Sequence, residues 1–299
     1  MSQVLRQSHR TFFQQYFSDP LIGIIVYLVL GLFKILPVRI ASDFGSFLGQ
    51  GFYLISKRRN QIARQNLAFA FPDKSAEERE LILKKMWCHW GRVYAELPHG
   101  EYLYHQAHFT GLEYLKEAAH NKQGCFVCSA HIGNFELAVT TALFEDYCLN
   151  PVYRSANNPW LDKILFQRRV GVLIPKGTQG AKKMIELLRS GHGVVMLCDQ
   201  KLREGINVPL FGKPAKTAPA IATVALKLNV PIFMARCIRR NDHRFNIDVY
   251  PLPISQNPDK TQAVYETMLA INQEIEKWIR ETPEQWLWLH RRFDKSEYK

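Results

Sequence analysis

The sequence predicts an α/β fold, a largely parallel sheet covered by helices, with an N-terminal hydrophobic anchor helix. Three observations predict it. From residue 123, short apolar runs ("CFVCSA", "NPVYR", "VLIP", "VVMLCD") are each followed by a stretch of helical periodicity, before "PIFMARCI" and "FNIDVY" close the series. That rhythm sets strands side by side with helices packed over them. Ahead of it, Leu21 to Leu36, "LIGIIVYLVLGLFKIL", is apolar apart from two glycines and Lys34. No Gly/Ser-rich or Pro-rich linker divides the 299 residues, so one substantial core in a single domain, 42–299, is expected behind an anchor segment, 1–41.

The apolar run at 21–36 is slightly shorter than a standard membrane span. A single tilted or interfacial anchor fits it, with Lys34 reaching back to the headgroups. A cleaved signal peptide fits less well, because "PVRIASDFG" offers no small-x-small cleavage site, and a buried core helix is the soluble alternative. Arg6 and Arg10 precede the run, whereas Arg39, Lys57, Arg58, Arg59 and Arg64 follow it, which favours a cytoplasmic main domain. Ser42 to Ile55 is a second apolar, aromatic segment too short to span, and "SKRRNQIARQN" follows directly. Either an interfacial segment on an anionic leaflet or an amphipathic helix packed on the core satisfies that pattern.

Ser75, with Glu78 three residues on, starts a helix that Pro98 ends. Further helices are expected over 134–146, 159–170, 178–189 and 217–229. A last one places Val264, Met268, Ile271, Ile275 and Trp278 on one face and stops at Thr282 and Pro283. "NVPLFGKPAKT" reads as a loop near the substrate, and Gly177, Gly180, Lys182 and Lys183 lie at a helix start, where an anion could sit. The terminal "WLWLHRRF" reads as a tail packed on the domain, with membrane-interface contact as the alternative.

Lys and Arg outnumber Asp and Glu by 39 to 27, a net charge of +12 that suits an acidic membrane surface, phosphorylated substrates or nucleic acid without choosing among them. The cysteines, at 88, 125, 128, 148, 198 and 237, sit mostly in apolar strings and read as reduced core residues. Cys125, Cys128 and His131 have the look of a zinc set. In a strand, however, Cys125 and Cys128 point to opposite faces and do not converge on one ion.

His131 and Glu136 are the sharper pair. Five residues on one helix would set them about 140° apart, so they can meet only if His131 lies outside the helix. Asn134, preceded by Gly133, is a plausible N-cap that would put His131 in a strand-to-helix turn and Glu136 in the first helical turn. A carboxylate that accepts from one imidazole nitrogen leaves the other to act as general base on a hydroxyl attacking an acyl group. No G-x-S-x-G elbow is present. Arg154 and Asp199 each follow a predicted strand, where an α/β sheet presents residues to its ligand crevice. Arg154 could hold a phosphate or polarise a carbonyl, and Asp199 could bind substrate or orient Arg154.

The block "SAHIGNFELA" (129–138) resembles the H-x4-D/E motif of glycerolipid acyltransferases, and the chain as a whole resembles the bacterial lipid A late acyltransferases of the lauroyl/myristoyl type. Besides the apolar anchor, the resemblance rests on "KRRNQIARQNLAFAFPD" (57–73), "VYRSANNPWLDKILFQRRVG" (152–171), "VVMLCDQ" (194–200), "NVPLFGKPAKTAPA" (207–220) and "TPEQWLWLHRRF" (282–293). It implies a glycerolipid-acyltransferase-like fold and transfer of a fatty acyl chain from acyl carrier protein to a hydroxyl of a lipid A precursor, at the cytoplasmic face of the bacterial inner membrane. It implies no metal or other cofactor and no nucleic acid partner. His131 and Glu136 carry over as base and partner, and Arg154, Asn158, Asp199 and Gln200 as substrate-binding residues. An acyltransferase acting on another glycolipid or an aryl-polyene-type lipid is the alternative within the class. A basic membrane-associated binding protein is the alternative outside it.

Overall fold

The computed structural model describes residues 14–137, 149–153, 155–166, 171–241 and 243–298. Arg6, Arg10, Cys148, Arg154 and the C-terminal parts of the helices expected over 134–146 and 159–170 lie outside the described residues.

Helix α1 (Asp19–Ile35) follows a turn of π-helix at Gln14–Ser18. Only Gly23, Leu30 and Phe33 of α1 are buried, while Leu21, Ile22, Ile25, Tyr27 and Leu28 face outward. A core helix would hide those side chains, so the core-helix alternative does not describe it. The helical stretch Tyr16–Ile35, at 20 residues and a mean hydropathy of 1.9, is long and apolar enough to cross a membrane.

Helix α2 (Val38–Ile55) divides its faces by side-chain size. Ala41, Ser42, Gly45, Ser46 and Gly49 are buried, and Phe44, Phe47, Phe52, Leu54 and Ile55 are exposed. The small stripe lies against α4 (Ala76–Glu96) so closely that a Cβ on Gly91 would come within 2.0 Å of the Gly45 carbonyl oxygen. Between these two runs α3 (Lys57–Ala70), which carries the basic cluster. Helix α4 begins as the sequence predicts: Glu78 N–H donates to Ser75 Oγ and Ser75 N–H to Glu78 Oε2, a reciprocal capping box.

The α/β part follows. Helix α5 (Gly100–His105), strand β1 (His108–Thr110) and helix α6 (Leu112–His120) precede β2 (Cys125–Ser129). After it come β3 (Leu149–Tyr153), α7 (Pro159–Phe166), β4 (Ile174–Pro175), α8 (Thr178–Arg189) and β5 (Gly193–Leu197). The chain closes with the ribbon β6 (Ile206–Leu210) and β7 (Lys213–Thr217), then α9 (Ala220–Leu228), β8 (Ile232–Arg239), β9 (Phe245–Leu252) and α10 (Lys260–Glu281). Among the described residues seven strands form one sheet in the order β1-β9-β8-β2-β5-β3-β4, parallel throughout except at β8/β9.

Strand β2 is buried at every residue, as a strand covered on both faces must be. Phe126 and Cys128 enter the main core with residues of α4, α9 and α10, whereas Cys125 and Val127 pack against α6 on the other side. The two cysteines therefore do point to opposite faces, and burial pushes the Cys125 thiol up to about 12.

One sequence expectation is corrected. "NVPLFGKPAKT" is an antiparallel ribbon, with Leu210 paired to Lys213 across a two-residue turn at Phe211 and Gly212, both at positive φ. Pro209 and Pro214 face each other across it. Proline argues against a strand within a sheet but is tolerated in a ribbon that, among the described residues, no third strand joins, and Phe in place of Asn or Gly hid the turn.

Candidate active site

Strands β2 and β5 are parallel neighbours in a register that sets Ser129 opposite Leu197. Two residues beyond each of these strand ends stand His131 and Asp199, so equal overhang brings them together at the carboxyl edge of the sheet, where open α/β sheets place their ligand crevices. The His131 backbone N–H donates to Asp199 Oδ2 at 3.0 Å, and Nδ1–H donates to Oδ1 at 2.8 Å. Trp286 Nε1–H adds a third donor to Oδ2 at 2.8 Å. Against the cost of burial, the His131 ring and these donors hold the Asp199 carboxyl down to about 2. A carboxylate on Nδ1 fixes the tautomer that leaves Nε2 with a lone pair, the form a general base requires.

Gln200 closes the other side. Its amide nitrogen stands 3.2 Å from His131 Nε2 and 3.3 Å from His290 Nε2, so one NH2 group bridges two imidazoles. Phe135 packs on the His131 ring, with centroids 5.0 Å apart. His131 keeps 17% of its side-chain surface accessible against 3% for Asp199. The imidazole is reachable and the carboxylate that orients it is not.

The C-terminal tail builds the rest. Ile132 and Trp286 form an antiparallel bridge, Leu287 N–H donates to the His131 carbonyl at 3.1 Å, and Gly133 N–H donates to the Gln285 carbonyl at 3.0 Å. Asn66 on α3 then holds the Trp288 and His290 carbonyls through Nδ2, at 2.7 and 2.8 Å. The packed-tail expectation holds: Trp286, Trp288, Arg292 and Phe293 are buried. The part His290 and Trp286 play in the site was not read from the sequence. The alternation that buries Trp286 and Trp288 between half-exposed Leu287 and Leu289 is the period of an extended strand, and it was the available signal.

His131 does lie outside the helix, in a turn where Gly133 has φ +55° and helical structure starts at residue 135. Glu136 is half-buried in that first turn. Asn134 sends its side-chain amide to Glu96 Oε2 at 3.2 Å, and among the described residues its Oδ1 receives no donor, so the side-chain N-cap is not made. Asn158 does cap a helix: its Oδ1 accepts from Trp160 and Leu161 N–H in α7, while Nδ2 donates to the Asp19 carbonyl at the start of α1. Arg154 lies outside the described residues.

Residues 10–295 match the family described as bacterial lipid A biosynthesis acyltransferase. The chain is 26% identical over 277 residues to the lipid A biosynthesis lauroyltransferase of Escherichia coli K12, covering 89% of each chain. It is 29% identical over 275 residues to a lipid A biosynthesis acyltransferase of Haemophilus influenzae, covering 86% of this chain and 85% of that one. It is also 24% identical over 263 residues to the E. coli K12 lipid A biosynthesis myristoyltransferase, covering 84% and 78%. With nearly the whole length matched and the α/β architecture in place, the chain belongs to the bacterial lipid A biosynthesis acyltransferase family.

Proposed function

We propose that the protein transfers a fatty acyl chain from acyl carrier protein to a hydroxyl of a lipid A precursor, with His131 as general base. The family makes the chain an O-acyltransferase with a lipid A-type acceptor. The observation that carries the catalytic assignment is the clamp of Asp199 on both the backbone and Nδ1 of His131, which leaves Nε2 beside the Gln200 amide. The acceptor hydroxyl displaces the Gln200 amide from Nε2 and gives its proton there as its oxygen attacks the thioester carbonyl. A new C–O bond forms, the C–S bond breaks, and the imidazolium returns the proton to the departing thiolate.

Asp199 holds the position at Nδ1 and stabilises the imidazolium. Glu136, the acid of the motif, acts beside His131 in the same turn-and-helix unit. Arg154 serves the substrate by holding a phosphate or polarising the acyl carbonyl, and Asn158 serves it indirectly, by capping α7 and tying that helix to the start of α1. Residues 1–41 anchor the protein to the inner membrane, and the catalytic domain, 42–299, works at the cytoplasmic face.

The test is incubation of the purified protein with a panel of acyl carrier protein thioesters and a Kdo-bearing lipid A precursor, followed by mass spectrometry. A mass gain of one acyl chain on the acceptor, lost in His131→Ala with the fold retained, is the expected result. No gain beside an active control would overturn the reading.

A further inference from the structure

Behind the turn that carries His131 runs a buried chain of polar groups that the proton transfers do not use. Glu96, the last residue of α4, is 1% exposed and accepts from Arg239 Nη1 and Nη2, both at 2.6 Å. It also accepts from Ser42 Oγ at 2.7 Å and from Asn134 Nδ2 at 3.2 Å. Arg239 Nε donates to His89 Nδ1 at 3.4 Å, and His89 Nε2 lies 3.0 Å from the Gly133 carbonyl oxygen. Arginine has donors only, so Nδ1 of His89 accepts and Nε2 carries the proton given to Gly133. Gln285 ties the other end: its Oε1 accepts from Arg239 N–H, its Nε2 donates to the Arg239 carbonyl, and its own carbonyl accepts Gly133 N–H.

A fold needing only stability could fill this volume with apolar side chains, since a buried ion pair rarely outperforms a hydrophobic replacement. Here the branches through His89, Gln285 and Glu96 converge on Gly133 and Asn134, the residues that turn the chain from His131 into its helix. Gly133 has little latitude of its own: at φ +55° a Cβ would lie 1.6 Å from the Cys237 carbonyl oxygen. Burial and the neighbouring Arg239 charge keep His89 neutral, with its pKa down at about 3, so the donor to Gly133 stays the same across the working range.

We infer that His89, Arg239 and Glu96 form a positioning relay that fixes the peptide after His131 and thereby the aim of Nε2 at the acceptor hydroxyl. The relay rests on the reading of His131 as base. None of its members touches substrate. They act through the Gly133 carbonyl and the Asn134 side chain.

The experiment compares full-length His89→Gln and His89→Asn in detergent micelles. A glutamine amide nitrogen reaches the place of Nε2 and can donate to Gly133, whereas an asparagine amide reaches only the place of Nδ1. His89→Gln is expected to keep kcat. His89→Asn is expected to lose about 10²-fold in kcat, as a small misplacement of a catalytic group does, with KM for the acceptor unchanged. A second readout is independent of acyl transfer: the low-field proton resonance of His131 Nδ1–H against Asp199, sharp in the wild type and in His89→Gln and broadened or lost in His89→Asn. If His89→Asn keeps both kcat and the resonance, or loses thermal stability alone, the relay is overturned. Should the wild type transfer no acyl chain, the function assigned to the site fails and the resonance still decides the relay. If His89→Asn does not fold, Glu96→Gln, which preserves the shape but weakens the grip on Arg239, supplies the same two readouts with the same expectation for the resonance and a smaller loss in kcat.

Discussion

Three N–H donors converge on Asp199, from the His131 backbone, the His131 ring and Trp286, and a carboxylate can accept all of them. Asp199→Asn replaces one acceptor oxygen by a donor, so one of the three must be expelled or His131 must take the other tautomer. A loss of roughly 10⁴ in kcat with retained folding is expected, the size seen when a triad aspartate becomes asparagine, measured by acyl-transfer kinetics beside circular dichroism. The same residue makes a stability prediction. Its pKa is lowered from 3.8 unfolded to about 2, so the contribution, about 2 kcal/mol, is fully present above pH 4 and lost as pH falls through about 2. The stability gap between wild type and Asp199→Asn should therefore narrow on acidification below pH 4 in urea titrations. His89 acts in a higher window with the same sense: the unfolded imidazole binds a proton below 6.5 and the folded one not until about 3, so protonation favours unfolding as pH falls between these values. His89→Gln should lack that acid sensitivity, and an unchanged slope between pH 6.5 and 4 would refute the assignment. The sequence marked Asp199 as a strand-end residue and His131 as the base, but it could not join them. Which strands are neighbours, and in what register, is decided by the sheet and not by the spacing of residues along the chain.

Helix boundaries and faces were legible wherever local chemistry decides them. The capping box at Ser75, the one-sided apolar stripe of α10 and the apolar run of β2 each follow from rules that act over a few residues. Elements defined by their partners were not: the ribbon β6/β7 carries two prolines, and β1 is only three residues long. The α2–α4 crossing is of this second kind. Its geometry depends on Gly45 and Gly91 meeting backbone to backbone, which no periodicity reveals. Gly91→Leu must drive the helices apart, since even a Cβ there would overlap the Gly45 carbonyl. A destabilisation of about 3 kcal/mol or more is expected from such overpacking, read by urea unfolding. Because Ser42 on α2 holds Glu96, the variant should also lose activity at temperatures where it remains folded.

At the scale of the whole molecule, apolar surface and positive charge lie next to each other. The outer face of α2 exposes Phe44, Phe47, Phe52, Leu54 and Ile55, and Lys57, Arg58 and Arg59 stand exposed at the start of α3. Aromatic residues at the acyl boundary with lysine and arginine among the headgroups is the arrangement that an anionic leaflet selects, and it accounts for part of the net +12. Each basic residue near such a surface contributes about 1 kcal/mol. Replacing all three by alanine should therefore raise the apparent KM for a lipid acceptor presented in anionic mixed micelles by up to about 10²-fold, because about 1.4 kcal/mol corresponds to a factor of ten. kcat should not change, since these side chains stand on α3 and none of them contacts His131, Asp199 or Gln200 among the described hydrogen bonds. Added salt should raise the wild-type KM toward that of the variant and leave the variant nearly unaffected, because screening removes the same interaction the substitutions remove. Equal KM values for the two proteins on anionic and zwitterionic micelles would show that the basic cluster serves something other than the membrane surface.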